Sequence, residues 1–275
     1  MSAGTLLVVA TPIGNLADAS PRALDALRTA DLVACEDTRT TRTLLARHGI
    51  ATRTIALHEH NERAMTGKLI SLLLENKTIA LVSDAGTPGL SDPGALLVEA
   101  AHRAGIRVSP LPGPSAAAAA YSVSGFSAER FLFAGFLPAS AGARRKALEA
   151  LDLPWPVILY EAPHRIAATL EALRARFGDQ REVVIGRELS KKFEEVARLP
   201  LGQAPGWLAG GAHRQQGEFV LVLAPGGAPA PAVDPEQVLA VLLEALAPSE
   251  AAKLAARITG APRNQLYRRA LELAK

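Results

Sequence analysis

Thr78-Ile79-Ala80-Leu81-Val82-Ser83 runs without interruption into Asp84-Ala85-Gly86-Thr87-Pro88-Gly89-Leu90-Ser91-Asp92-Pro93-Gly94. The first part is a short apolar run with the composition of a buried strand. The second is a loop of glycine, proline and small polar residues. A helical pattern over 93–104 follows, and Gly105 reads as its C-cap. The same order of strand, small-residue loop and helix recurs on both sides. Thr5–Ala10 leads into Thr11-Pro12-Ile13-Gly14-Asn15-Leu16, and Arg107–Leu111 leads into Pro112-Gly113-Pro114-Ser115-Ala116. Leu32–Cys35 and Thr54–Leu57 are further strand candidates. Ser20-Pro21 supplies an N-cap with proline at the first helical position. Gly49 reads as the C-cap of a helix over Thr38–His48. This alternation predicts a parallel α/β sheet.

A second α/β block begins near Ser115, with strands expected at Arg130–Ala134, Val157–Tyr160, Glu182–Gly186 and Glu218–Leu223. A helix over Pro163–Phe177 is closed by Gly178. Ala224–Pro235 (APGGAPAPAVDP) has the composition of a linker. Beyond it, Glu236–Leu246, Ser249–Ile258 (capped by Gly260) and a segment from Pro262 onward are helical. Leu266, Ala270 and Leu273 repeat at helical spacing in the last of these. The expected architecture is α/β: an N-terminal α/β domain over 1–114, a C-terminal α/β domain over 115–225, a linker over 226–235 and a helix-turn-helix-like extension over 236–275. A ligand cleft is expected between the two α/β domains.

The chain has 275 residues, 49% of them hydrophobic and 21% charged, which suits a folded protein that builds its own cores. A single cysteine, Cys35, excludes an internal disulfide and thiolate zinc clusters. No apolar run approaches the roughly 18 residues of a membrane helix, and Thr5–Ala10 reads as a strand rather than a signal peptide. A cytoplasmic protein is expected. Of 30 basic residues 23 are arginine, whose planar fork suits phosphate. From Glu250 onward six Lys or Arg face two acids, a local excess above the net +3 of the whole chain. With 12 aromatic residues, an extended base-stacking platform is not expected.

The common nucleotide and hydrolase signatures are missing. No G-x-G-x-x-G follows the first strand, and no G-x-S-x-G occurs. Gly67-Lys68 lacks the leading glycine of a P-loop, and His58-Glu59-His60 is not a zincin pattern. No metal site is expected. What remains is a set of small-residue loops at corresponding strand ends, where backbone can approach a ligand at the binding edge of an open sheet. Because these loops carry few charges, they suit an adenosyl group better than a triphosphate. Asp84 can hydrogen-bond a ribose hydroxyl, sit near a sulfonium, or merely close an Asx-turn.

TPIGNL at 11–16, Glu36-Asp37-Thr38-Arg39, SDAGTP with SDPG, PLPGPSA, Tyr160-Glu161-Ala162-Pro163-His164-Arg165, Arg187-Glu188-Leu189-Ser190 and Gly217-Glu218-Phe219 occur in one fixed order. In these motifs the chain closely resembles the tetrapyrrole-methylase-like (class III) methyltransferases. Within them it resembles the RsmI-type small-subunit ribosomal RNA cytidine 2′-O-methyltransferases. The match covers about residues 5–224, and the helical extension resembles that of the subfamily. The resemblance implies a homodimer of two-domain subunits with S-adenosyl-L-methionine held in the cleft. It implies that Pro12, Asp84, Gly86, Thr87, Ser115, Ala116 and Tyr160 line the cofactor site, with Gly217 or Glu218 near the adenine. The implied substrate is a cytidine 2′-hydroxyl in the decoding region of small-subunit rRNA, free or in the assembled subunit.

Methyl transfer to oxygen depends on holding nucleophile and methyl in line, helped by a general base or a stabilising cation. Candidates are Glu36, Asp37, Arg39, Glu161 and Arg165, with His164, Arg187 and Glu188 behind them. Glu36 or Asp37 can instead cap a helix, and Arg187 and Glu188 can form a structural ion pair. RNA-binding candidates are Arg144, Arg145 and Lys146 at a helix start, and Arg263, Arg268 and Arg269 in the extension. Arg39, Arg42, Arg165, Lys191 and Lys192 are further cations around the cleft. Two other functions fit the same loops: methylation of a tetrapyrrole or other small molecule, and a non-catalytic rRNA-binding assembly factor.

Overall fold

Leu32–Cys35 and Ile79–Val82 are buried at every position, which only a strand covered on both faces achieves. They are β2 and β4 of a five-stranded parallel sheet with β1 (Thr5–Val9), β3 (Thr54–Ala56) and β5 (Arg107–Leu111), in the order β3-β2-β4-β1-β5. The computed structural model describes residues 4–226, 234–259 and 261–273. Alternate side chains divide between the two faces. Val9, Val33, Cys35, Ala80 and Val82 pack under α1 (Pro21–Thr29) and α2 (Thr38–Arg47). Leu6, Leu32, Ala34, Ile79 and Leu81 pack under α3 (Glu62–Leu74) and α4 (Ala95–Arg103). The expected caps form: Ser20 Oγ accepts from the Ala23 amide, and Gly49 and Gly105 follow their helices with φ +61° and +68°.

The chain leaves β5 through Pro112–Ser115 into α5 (Ala116–Ser122), which packs against a second sheet. That sheet contains β6 (Leu132–Phe136), β7 (Val157–Glu161), β8 (Glu182–Arg187), β9 (Glu195–Pro200) and β10 (Phe219–Leu223), in the order β6-β7-β10-β8-β9. Only β6 and β7 run parallel; the other pairs are antiparallel. One face carries Ile158, Val184, Val220 and Val222 under α5. The other packs Val157, Leu159, Val183, Ile185 and Leu221 under α6 (Ala141–Glu149), α7 (Ile166–Phe177) and α8 (Ala204–Ala209). The described residues up to Ala224 form one compact unit, and those from Pro225 onward a second.

Three expectations differ from what forms. β6 starts at Leu132 and runs to Phe136, because a bulge between Phe133 and Gly135 bends the strand and lets it continue through the glycine. α7 starts at Ile166 and not at Pro163, since Ala162–Arg165 forms a turn in which the Arg165 and Ile166 amides both donate to the Ala162 carbonyl. β9 was not expected at all. It is an edge strand with mostly half-exposed residues and a terminal proline, so it lacks the apolar signature of a central strand.

The second unit is three helices: α9 (Pro235–Leu243), α10 (Pro248–Thr259) and α11 (Arg263–Leu273). Ala251, Ala252 and Ala255 of α10 are small enough to bring the helices together over Leu239, Leu266 and Ala270. Arg269 of α11 is paired with Glu236 of α9 at 3.0 Å. Most of the expected linker, and the Gly260 cap, lie outside the described residues. Among the described residues no helix is long and apolar enough to cross a membrane.

Candidate functional site

The loops after β1, β4 and β5 are tied side by side by their own small polar groups. The Thr11 amide donates to the Gly86 carbonyl at 2.8 Å, and the Gly86 amide returns the bond to Thr11 at 3.1 Å. Thr11 Oγ1 donates to the Ser83 carbonyl at 3.1 Å, and Thr87 Oγ1 to the Pro114 carbonyl at 3.2 Å. The far end of the central loop is fixed by Glu62 of α3, whose buried Oε1 accepts from the Gly94 and Leu96 amides at 2.9 Å each. This carboxylate stands in for the missing side-chain cap of α4. Gly94 has φ +125°, and a Cβ there would lie 2.8 Å from a Leu81 methyl, so no other residue fits without rearrangement.

Between these loops and the second sheet lies a cavity of about 460 Å³, within the range of small-molecule sites. The first sheet contributes Ile13, Glu36, Asp84–Thr87, Leu90–Asp92, Ser115 and Ala116. Phe136, Tyr160–Pro163, Leu189 and Glu218–Val220 face them. Tyr160 is fixed from both ends: its hydroxyl accepts from the Ala117 amide at 3.2 Å, and its ring meets Phe133 and Phe136 edge-on. Burial pushes its phenol up from the ordinary value.

The wall is acidic. Glu36, Asp84 and Asp92 all line it, and among the described residues no Lys or Arg does. Asp84 Oδ1 accepts from the Asp37 amide at 2.9 Å, which fixes the carboxylate against the start of α2. Burial, then the charge of Glu36, pushes the Asp92 carboxyl up to about 6. Burial, then the charge of Asp84, raises Glu36 as well. Such mutual repulsion is relieved by a bound cation. Among the described residues no His, Cys, Asp or Glu group has an arrangement that could hold a metal ion. The cavity therefore suits an organic cation of nucleoside size, gripped by backbone groups on one side and apolar surface on the other.

Of the residues expected at a cofactor, Asp84, Gly86, Thr87, Ser115, Ala116, Tyr160 and Glu218 line this cavity. Pro12 does not; it lines a neighbouring hollow of about 270 Å³ with Thr40, Leu44 and Asp84. Gly217 does not line it either. With φ +88° it turns the chain where Glu188 packs, and a Cβ there would lie 2.5 Å from the Glu188 carboxyl carbon.

The catalytic candidates separate in the same way. Glu36 and Glu161 line the cavity. Glu161 is nonetheless fully engaged: Oε2 accepts from Thr169 Oγ1 at 2.6 Å, Oε1 accepts from the Ala162 amide, and Arg165 lies 3.1 Å away. Arg165 is held by that pair and by the Leu137 carbonyl, so both are framework. Asp37 caps α2 and binds the exposed Arg39, which holds its carboxyl down at about 2, away from the cavity. Arg187 and Glu188 do not pair with each other. Arg187 donates to the Gln216 and Phe193 carbonyls, and Glu188 binds Lys191 at 2.8 Å.

Among the RNA candidates, Arg145 and Lys146 are exposed, but Arg144 is buried and donates to the Ala139 carbonyl. It shares a face of α6 with the fully buried Leu148. In the helical unit Arg263 and Arg268 are exposed, whereas Arg269 is engaged by Glu236 and Glu272. Sequence reasoning missed Asp92, Leu90, Phe136 and Leu189 as cavity residues. The repeated Ser-Asp of SDAGTPGLSDPG was an available signal for Asp92. Phe136 and Leu189 reach the cavity only through the packing of the second sheet.

Residues 5–205 match the model of the Tetrapyrrole (Corrin/Porphyrin) Methylases, and residues 229–274 that of the RsmI C-terminal HTH domain. The chain is 49% identical to a protein of Pseudomonas aeruginosa named ribosomal RNA small subunit methyltransferase I, over 99% of this chain and 98% of that one. Proteins of the same name from Xylella fastidiosa (strain Temecula1) and Escherichia coli O157:H7 are 51% and 46% identical, over 96% and 98% of this chain and 98% and 96% of theirs. Among solved structures, a diphthine synthase superposes with TM-score 0.61 at 20% identity, covering 80% of this chain and 90% of that one. A uroporphyrin-III-C-methyltransferase from Thermus thermophilus superposes with TM-score 0.57 at 21% identity, covering 80% and 94%. These two likenesses establish the fold alone. By its matched residues and its full-length relatives, the chain belongs to the tetrapyrrole (corrin/porphyrin) methylase family.

Proposed function

We propose that this chain is an S-adenosyl-L-methionine-dependent methyltransferase of small-subunit ribosomal RNA, and that it methylates the ribose 2′-hydroxyl of a cytidine in the decoding region. The observation that carries the proposal is the acid-walled cavity of about 460 Å³ built on backbone loops. Relatives near 50% identity along the whole chain, named for small-subunit rRNA methylation, support RNA as substrate. The second unit, which a tetrapyrrole would not need, supports it further. In this reading the protein acts in the cytoplasm as a homodimer.

When bound, the cofactor supplies an electrophilic methyl on a sulfonium. Asp84, Gly86, Thr87, Ser115, Ala116 and Tyr160 hold it, and the Asp84 and Asp92 carboxylates balance its positive charge. Ile13, Leu90 and Phe136 exclude water from the same space. Glu36 receives the proton of the 2′-hydroxyl on its carboxylate. Its burial beside Asp84 makes it a stronger base than a solvated glutamate.

The test is a methylation map of small-subunit rRNA from cells lacking this protein. One cytidine 2′-O-methyl is lost, the wild-type chain restores it, and Asp84→Ala does not. An unchanged map, with an altered tetrapyrrole profile in the same cells, contradicts the proposal in favour of a small-molecule substrate.

A further inference from the structure

The bulge in β6 turns Phe136 out of a core and into the cavity. Phe133 pairs with Ile158, Gly135 with Leu159 and Phe136 with Tyr160, which leaves Ala134 as the extra residue. In an unbroken strand Phe136 would share the face of Ala134, which packs on the core under α6 and α7. One inserted residue reverses that, because it shifts the period-2 alternation by one position. Phe136 now shares the face of Phe133 and Tyr160, meets the Tyr160 ring at 5.7 Å and 66°, and lines the cavity. The next residue, Leu137, takes the place in the core and is buried.

Turning it out leaves a large aromatic in water. Phe136 is 51% exposed and Leu90 40%, whereas Ile13, Leu189 and Val220 of the same cavity are half-buried or buried. The exposed pair therefore marks the mouth. Leu90 and Phe136 flank one contact between the two sides of the cavity: Ser91 Oγ comes within 2.7 Å of where a Cβ on Gly135 would be. Of the exposed aromatics Phe131, Phe136, Phe193 and Tyr267, only Phe136 lines the cavity. Among the described residues no Lys or Arg lines it, so the mouth offers a phosphate nothing. The part of a nucleotide that such a mouth can grip is its base. A nucleotide whose ribose enters a concave site must leave its own stack, and a protein aromatic replaces the lost neighbour.

We infer that Phe136, backed by Tyr160 and facing Leu90 across the mouth, stacks on the base of the nucleotide whose ribose is methylated. This rests on the RNA reading given above. Phe136 is thus a substrate-positioning residue: its ring holds the unstacked nucleotide so that the sugar lies at the acidic wall. The cofactor is held from the opposite side, by the loops after β1, β4 and β5.

The experiment compares the wild type with Phe136→Ala, Phe136→Leu and Phe136→Tyr. Methyl transfer from labelled S-adenosylmethionine to small ribosomal subunits lacking the modification gives kcat/KM for the RNA. Calorimetry without RNA gives cofactor affinity, and sedimentation gives the oligomeric state. Phe136→Leu keeps apolar volume beside Tyr160 but has no ring, so it separates stacking from packing. The expected result is kcat/KM lowered at least about fivefold in both Phe136→Ala and Phe136→Leu, the lower end for one lost base–aromatic stack. Phe136→Tyr keeps the wild-type value, and cofactor affinity and oligomeric state stay the same in all three. Unchanged kcat/KM in Phe136→Ala and Phe136→Leu overturns the inference and leaves the RNA reading standing. Cofactor affinity lowered by the same factor as kcat/KM makes Phe136 a cofactor contact, and a parallel change of oligomeric state makes it a contact between copies; either also overturns it. Should the wild type bind the cofactor but transfer no methyl to the subunits, the reading and the inference fall together.

Discussion

At Asp92 a single carboxyl carries a measurable consequence of the cavity's design. Its pKa is pushed up to about 6 from the ordinary 3.8, by burial first and by Glu36 second. In the ligand-free protein the native state holds a proton that the unfolded chain has released between those two values. Stability therefore falls as pH rises from about 4 to about 6 and levels off above. Asp92→Asn flattens that part of the profile in urea titrations at stepped pH. A cationic ligand prefers the ionised form, so S-adenosylmethionine affinity in calorimetry rises through pH 6 in the wild type and rises less in Asp92→Asn, where Glu36 keeps a raised carboxyl of its own. At Asp84 the expected effect is larger, because its carboxylate lines the cavity while accepting from the Asp37 amide. Asp84→Ala lowers cofactor affinity at least about tenfold by calorimetry, the scale of one lost hydrogen bond to a charged group. Asp84 was legible because its loop held no other acid in its core. The framework role of Glu161 was not legible, since it depends on Thr169 and Arg165 across the start of α7.

At the level of elements, the segment joining β7 to α7 is held by the Glu161–Arg165 pair. The Glu161 side chain is fully buried and that of Arg165 is 20% exposed. Arg165→Ala leaves a carboxylate buried without its cation, which destabilises the fold by about 3 kcal/mol. Chemical denaturation should register that loss, whereas the folded fraction keeps its cofactor affinity. A loss of cofactor binding with unchanged stability contradicts the framework role. The central strands β2 and β4 could be located from sequence because each is a short apolar run buried on both faces, and β1, β3 and β5 because small-residue loops or helical patterns bound them. β9 could not, because an edge strand pairs on one side only and carries exposed residues such as Val196. The burial of Arg144 was within reach of a sequence argument: it sits four residues before Leu148, and the cap at Ser140 fixes the helix phase.

For the whole molecule, the described residues up to Ala224 form a compact unit that contains the entire cavity. A chain ending at Ala224 is expected to bind S-adenosylmethionine with unchanged affinity and the RNA fragment more weakly, with a shallower salt dependence. Calorimetry and anisotropy on the same preparation check both halves, and unchanged RNA binding removes the second unit from substrate recognition. The order of the motifs along the chain was enough to suggest the family and its two α/β sheets. Which cations are free was not fully legible, because Arg187 is buried against the Gln216 and Phe193 carbonyls and Arg269 is paired with Glu236 of another helix, partners that only packing reveals. The most direct test of the account is to incubate the purified protein with methyl-labelled S-adenosylmethionine and small ribosomal subunits lacking the modification, then hydrolyse the RNA in alkali. A 2′-O-methyl blocks cleavage at its own nucleotide, so the account predicts label in one alkali-resistant dinucleotide beginning with cytidine, and none with Asp84→Ala. Label released in single nucleotides places the methyl on a base, and that result, or no transfer to RNA at all, contradicts it.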